Sequence, residues 1–159
     1  MKKLLAVLAM VFTMAIAGNA SAVDFDFSGN FSYHNEVQVF GFTTTGATTV
    51  TLFTSSWDDG GFDPMLGLWD DSGALLYQQD DGGNLGTTLS NGTPYTHGYW
   101  DTYYSYALTA GDYQVSIATF YNWAIGPNIS DGFSYDSQTP ISIASWYQPA
   151  NGYRAPNYE

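Results

Sequence analysis

The chain has 159 residues, 15 Asp and Glu against three Lys and Arg, a formal net charge of −12, and no cysteine. So acidic a balance argues against nucleic acid or an anionic membrane surface as partner, because phosphate binding needs clustered cations. The lack of cysteine excludes a disulfide framework, a thiolate metal site and a Cys nucleophile.

Residues 1–22 read as a secretory signal peptide of bacterial type. Lys2 and Lys3 give a basic start, Leu4 to Ala17 an apolar run, and Ala20-Ser21-Ala22 a small-residue cleavage site. The run is too short for an ordinary membrane span. Cleavage after Ala22 leaves 137 of the 159 residues, a length that suits one domain. It also leaves Arg154 as the only Lys or Arg against all 15 acids, a formal charge of −14. The expected organisation is a β-sandwich domain over 23–147 and a polar tail over 148–159. The mature protein is expected to be exported, periplasmic or extracellular, with no membrane insertion.

Strand-like alternation of polar and apolar residues recurs after the leader. Strands are predicted near 24–34, 36–43, 48–55, 64–69, 74–79, 103–109, 112–120 and 141–147. Asp71-Ser72-Gly73 reads as the turn of one hairpin and Ala110-Gly111 as the turn of another. Gly82 to Trp100 and Asn122 to Pro140 read as irregular. Eight short strands between Gly- and Asp-rich turns predict an all-β fold, a single antiparallel β-sandwich of jelly-roll type.

Three Asp-Asp pairs fall within 24 residues: Asp58-Asp59, Asp70-Asp71 and Asp80-Asp81. In the first hairpin, pairing Trp69 with Ala74 sets Leu68 against Leu75 and Leu66 against Tyr77, a sensible core face. The same register sets Asp63 against Asp80, and like charges so placed are destabilising. It leaves Asp70-Asp71 in the turn, where Asp makes local hydrogen bonds. Asp58-Asp59 and Asp80-Asp81 lie at the other end, roughly 20 Å away at about 3.3 Å per residue.

Either the acids of that end are ordinary solvated loop residues or they hold a cation. Hard oxygen donors among glycines suit Ca²⁺, as a structural ion, better than a transition metal. The candidate ligands are Asp63 and Asp80 first, then Asp81, Asp58 and Asp101, and then Asp59. Neither an EF-hand spacing nor a calcium-binding nonapeptide repeat is present.

Gly61-Phe62-Asp63-Pro64-Met65-Leu66-Gly67-Leu68-Trp69-Asp70, Gly73-Ala74-Leu75-Leu76 and Asp80-Asp81-Gly82 form one set of motifs. Leu108-Thr109-Ala110-Gly111-Asp112-Tyr113, Tyr121-Asn122 and Ser130-Asp131-Gly132-Phe133 form another. In order and spacing, over roughly 25 to 135, the chain resembles secreted bacterial β-sandwich proteins related to the pre-peptidase C-terminal domain. The resemblance implies a small jelly-roll-like sandwich without catalysis of its own, often with a calcium ion. Relatives of that kind accompany secreted peptidases, help bind insoluble substrates, or stand alone as exported proteins. Many stand-alone ones carry a Pro-Glu-Pro sorting signal, and no such motif follows Ser130 here. No peptidase domain is present, so a role in processing a fused enzyme does not carry over.

Enzymatic function is not expected. His34 and His97 are the only imidazoles, and neither a G-x-S-x-G elbow nor an H-E-x-x-H motif occurs. A glycoside-active enzyme would need two carboxylates about 5–10 Å apart, a spacing that so many Asp residues supply by chance. The alternative function is carbohydrate binding through exposed rings, with Trp100, Trp123 and Tyr99 as ligand-facing candidates. Against it, aromatics also fill sandwich cores. The reading is therefore a non-enzymatic exported binding or matrix module, stabilised by calcium. Its expected partner is an extracellular polysaccharide or a surface or matrix protein.

Overall fold

The structure is a computed structural model and describes residues 23–149. The signal-peptide residues and most of the expected polar tail lie outside the described residues. Eight strands carry the fold: β1 Val37–Thr44, β2 Thr48–Phe53, β3 Pro64–Asp70, β4 Leu75–Gln79, β5 Gly86–Ser90, β6 Thr93–His97, β7 Tyr103–Leu108 and β8 Gly111–Thr119. One helical turn, α1 (Ser56–Gly60), joins β2 to β3. No helix among the described residues is long and apolar enough to cross a membrane.

The strands form an all-β, antiparallel arrangement. A four-stranded sheet has the order β1-β8-β3-β4, β2 pairs with β7, and β5 pairs with β6. Alternation along β8 turns Tyr113 and Val115 toward one face and Ser116 and Ala118 toward the other, and all four are buried. Phe42, Leu66, Leu68, Tyr113 and Val115 from the four-stranded sheet pack with Tyr104 and Leu108 of β7 to form the main core. The central strand β3 is buried on both faces. Leu66 and Leu68 enter the main core, while on the opposite face Trp69 donates from Nε1 to Ser116 Oγ and meets Phe133 edge-on. A second cluster of Phe31, Phe62, Tyr135, Ile143 and Trp146 closes the end of the sheet near Asp63.

Several elements differ from the sequence-based expectation. Residues 24–30 alternate as expected yet form no strand. Phe27 stacks on Phe40 and Phe25 packs against Phe42, while Asp24 and Asp26 accept hydrogen bonds from Asn91 and Ser90. The segment is thus held by rings and carboxylates. The 141–147 segment holds a 3-10 turn at Ile143–Ser145 and isolated bridges in place of a strand, one of them between Tyr33 and Ser142.

The expected loop from Gly82 to Trp100 contains the β5–β6 hairpin. Its turn is Asn91-Gly92, with φ of 48° and 79°, the left-handed pair that a two-residue type I′ turn requires. Ala110-Gly111 does not close a hairpin, because β7 pairs with β2 and β8 with β1 and β3. It carries the chain from one layer to the other, as the link from β1 to β2 also does. Thr44 Oγ1 donates to the Thr109 carbonyl and ties the two crossings together.

The β3–β4 hairpin exists, but its register is slipped by two residues. Leu66 faces Gln79 and Leu68 faces Tyr77, with a bulge that sets Trp69 against Leu75. Extending this register beyond Pro64 brings Asp63 level with Gly82, so Asp63 is not directly opposite Asp80. The even slip keeps Tyr77 and the residues after it on their expected face, while the bulge moves Leu75 from opposite Leu68 to opposite Trp69. Asp63 and Asp80 therefore share a face as diagonal neighbours.

Candidate metal centre

Asp63 is the residue before β3, and Asp80-Asp81 follow β4 directly. What brings these ends together is the start of β7. Thr102 Oγ1 donates to the Asp80 carbonyl at 2.8 Å and lies 3.3 Å from the Pro64 carbonyl. Gly82 donates its N–H to the Asp101 carbonyl, and a Cβ there would lie 2.4 Å from the Tyr103 nitrogen. Only glycine lets the chain approach β7 this closely.

One oxygen of each of Asp63, Asp80 and Asp81 lies within 4.8 Å of the others. Asp63 is fully buried, and neither of its carboxylate oxygens has a hydrogen-bond partner. Asp80 and Asp81 are half-buried, and each has a buried oxygen without a partner. Burial pushes the Asp63 carboxyl up to about 8, with further contributions from Asp80, Asp81 and Asp101. Burial and then Asp81 push Asp80 up to about 7, and burial raises Asp81.

An unpaired buried carboxylate costs several kcal/mol, roughly, unless it takes up a proton or meets a cation. The donor set is all oxygen and carries up to three negative charges, and the described residues include no lysine or arginine to offset them. Lone pairs left unused by the protein are the feature a resident ion would need, so these residues fit a hard divalent cation such as Ca²⁺.

The remaining candidate ligands are placed differently. Asp101 is fully buried, but its carboxylate is used. Oδ1 accepts from Thr54 Oγ1, Ser56 N and Trp57 N at 2.9, 2.9 and 3.2 Å, and Oδ2 accepts from Gly98 N at 2.7 Å. It caps the first turn of α1, beside the centre but not within the three-carboxylate group. Asp58 and Asp59 lie in α1, and their side chains are outside the described set. Asp70 sits in the distant turn, where Oδ1 accepts from Ser72 N, Ser72 Oγ and Ala74 N.

Among the aromatic candidates, Trp100 is half-buried with its ring 5.8 Å from that of Trp57 and 5.2 Å from that of Tyr99. Tyr99 is 54% exposed. Trp123 lies on another segment, its ring perpendicular to that of Tyr121. Trp69 and Trp146 are core residues. Both histidines are buried and bonded at both nitrogens. His34 Nδ1 accepts from Ile141 N, so its Nε2 donates to Gln138 Oε1; His97 bonds the Asn84 carbonyl and Thr88 Oγ1.

Sequence reasoning missed Thr102 and Gln148, the two polar residues that hold the centre's backbone. Nothing local marks either one. Each acts through a contact between segments far apart in the chain.

Searches against protein-family models, curated proteins and solved structures found no match. The resemblance to pre-peptidase C-terminal domains therefore stands on its motifs alone.

Proposed function

We propose that the protein is a non-enzymatic exported module, periplasmic or extracellular, whose sandwich is completed by a structural Ca²⁺ ion held by Asp63, Asp80 and Asp81. One observation carries this reading: Asp63 is fully buried with both carboxylate oxygens unpartnered, and it faces two further carboxylates. The ion would supply positive charge that no residue of the centre provides. It would join the start of β3 to the end of β4, where the hairpin has no turn of its own. The motif resemblance, with its calcium-bearing jelly-roll relatives, points the same way, as does a leader that suits export.

The test is a thermal melt of the mature chain in millimolar Ca²⁺ and in EDTA. An ion bound only by the folded state adds about 2.7 kcal/mol at 100 times its dissociation constant. An upward shift in Ca²⁺ is expected, and identical melts would overturn the reading.

A second reading, carbohydrate binding, is favoured by the Trp57, Tyr99 and Trp100 cluster beside the centre. Asp101 bonds the backbone of both segments that carry these rings. A polysaccharide pull-down with and without chelator separates the two. Retention lost on Trp100→Ala but unaffected by chelator would favour the sugar reading.

A further inference from the structure

Gln148 is fully buried and uses both ends of its amide on the loop that carries Asp63. Its Oε1 accepts from the Asp63 N–H at 2.8 Å, and its Nε2 donates to the Gly61 carbonyl at 2.7 Å. The Asp63 carbonyl accepts from Phe120 N at 2.9 Å, just past the end of β8. Both backbone polar groups of Asp63 are thus fixed from distant segments, and its Cα–Cβ direction is fixed with them. Phe62, between the two clamped positions, is buried against Phe31, Tyr135, Ile143 and Trp146.

The segment that delivers Gln148 is itself docked. His34 N donates to the Ile141 carbonyl, and Ile143 N donates to the Ser32 carbonyl. Ile143, Trp146 and Gln148 are buried, while Tyr147 between the last two is exposed. The same short segment therefore fills the second hydrophobic cluster and holds the Asp63 backbone. The residue type matters. A neutral amide satisfies one donor and one acceptor without adding a fourth negative charge, whereas a lysine or arginine would compete with a cation for the carboxylates.

We propose that Gln148 is a positioning residue of the cation centre, and that through it cation binding locks residues 141–148 onto the Gly61–Asp63 loop. The inference rests on Asp63 being a cation ligand. Coupling between sites is reciprocal, so whatever docking of Gln148 adds to cation affinity, the cation adds to docking of the segment. Removing the ion then loosens a stretch of chain that contains no ligand, ahead of global unfolding.

Calorimetric titration of the mature chain with Ca²⁺, for the unaltered protein, Gln148→Ala and Gln148→Met, is paired with hydrogen exchange of the unaltered protein in Ca²⁺ and in EDTA. At least a tenfold loss of Ca²⁺ affinity is expected in both variants, Met filling the volume without restoring the bonds. Ca²⁺ is also expected to slow exchange at the Asp63 amide and across 141–148 by at least tenfold. Unchanged affinity in both variants, or Ca²⁺ protection confined to 80–82, overturns the coupling while leaving the ion in place. If a variant does not fold, the exchange of the unaltered protein decides. Absence of any Ca²⁺ binding by the unaltered protein overturns the cation reading itself, and the coupling with it.

Discussion

The two ends of the β3–β4 hairpin carry the same residues in opposite circumstances. At the closed end, Asp70 accepts three hydrogen bonds from the turn it helps to form, and those bonds, led by the Ser72 hydroxyl, lower its pKa. At the open end, Asp63 accepts none on its side chain, and burial raises its pKa to about 8. An Asp-Asp pair is therefore not a signal in itself. What separates a turn from a cation site is whether the surrounding N–H and O–H groups point at the carboxylate or elsewhere. Around Asp70 they point at it. Around Asp63 the nearby donors go to carbonyls and to Asp101.

The comparison is most exposed at its charged end. Asp80→Asn should abolish the Ca²⁺-dependent rise in Tm, a loss on the order of 10 °C for a stabilisation of about 2.7 kcal/mol. In EDTA the same variant should melt at or above the unaltered protein, because it removes one of three clashing acids. A retained Ca²⁺ shift would break the contrast.

The next effect is on pH. Asp63 and Asp80 have folded-state pKa values raised to about 8 and about 7 from 3.8. The folded state thus binds more protons than the unfolded state between about pH 4 and 8, and stability falls as pH rises through that window. In EDTA, Tm should decline from pH 5 to pH 8. In saturating Ca²⁺ the decline should vanish, since the ion takes the place of the protons. Equal slopes in both buffers would count against cation binding at these groups.

Asp70→Ala should lower Tm by a few degrees through loss of the turn's hydrogen bonds, by the same amount with Ca²⁺ and with EDTA. The smallest effect is expected for Asp71→Asn, with the Ca²⁺ shift kept and Tm within about a degree of the original, as is usual for surface changes. A Ca²⁺-dependent change in either variant would show that the two ends are not independent.

Much of this contrast was legible in the sequence, for reasons that can be stated. Strands β1, β3, β4, β7 and β8 announce themselves by alternation or by a continuous apolar run, and the Asp71-Ser72-Gly73 turn fixed which acids would diverge. The hairpin register was misjudged by two residues because the bulge after Leu68 cannot be read from apolar pattern. The acids still converge, because an even slip preserves facing. Asn91-Gly92 was readable as a type I′ turn and would have revealed β5 and β6, but their threonine-rich flanks hid the hairpin in an apparent loop. Ala110-Gly111 looked like a tight turn because local sequence does not say which layer the next strand joins. The involvement of Gln148 and Thr102 depends wholly on tertiary contact. Asp101 was expected as a ligand from proximity alone, and in the structure its carboxylate accepts from Thr54 Oγ1 and from backbone N–H groups of α1 and of Gly98.

The position of β8 in the sheet has a consequence for assembly. It lies between β1 and β3, pairing Val37 with Ala118 and Pro64 with Thr119, yet it is the last of the eight described strands in chain order. β1 and the β3–β4 hairpin, neighbours of β8 on either side, have no strand to join them until β8 arrives from far down the chain. Closing such long loops before any contact rewards them is entropically slow. The four-stranded sheet is therefore expected to close late in folding, and until β8 docks the apolar run of β3 has no strand partner but β4.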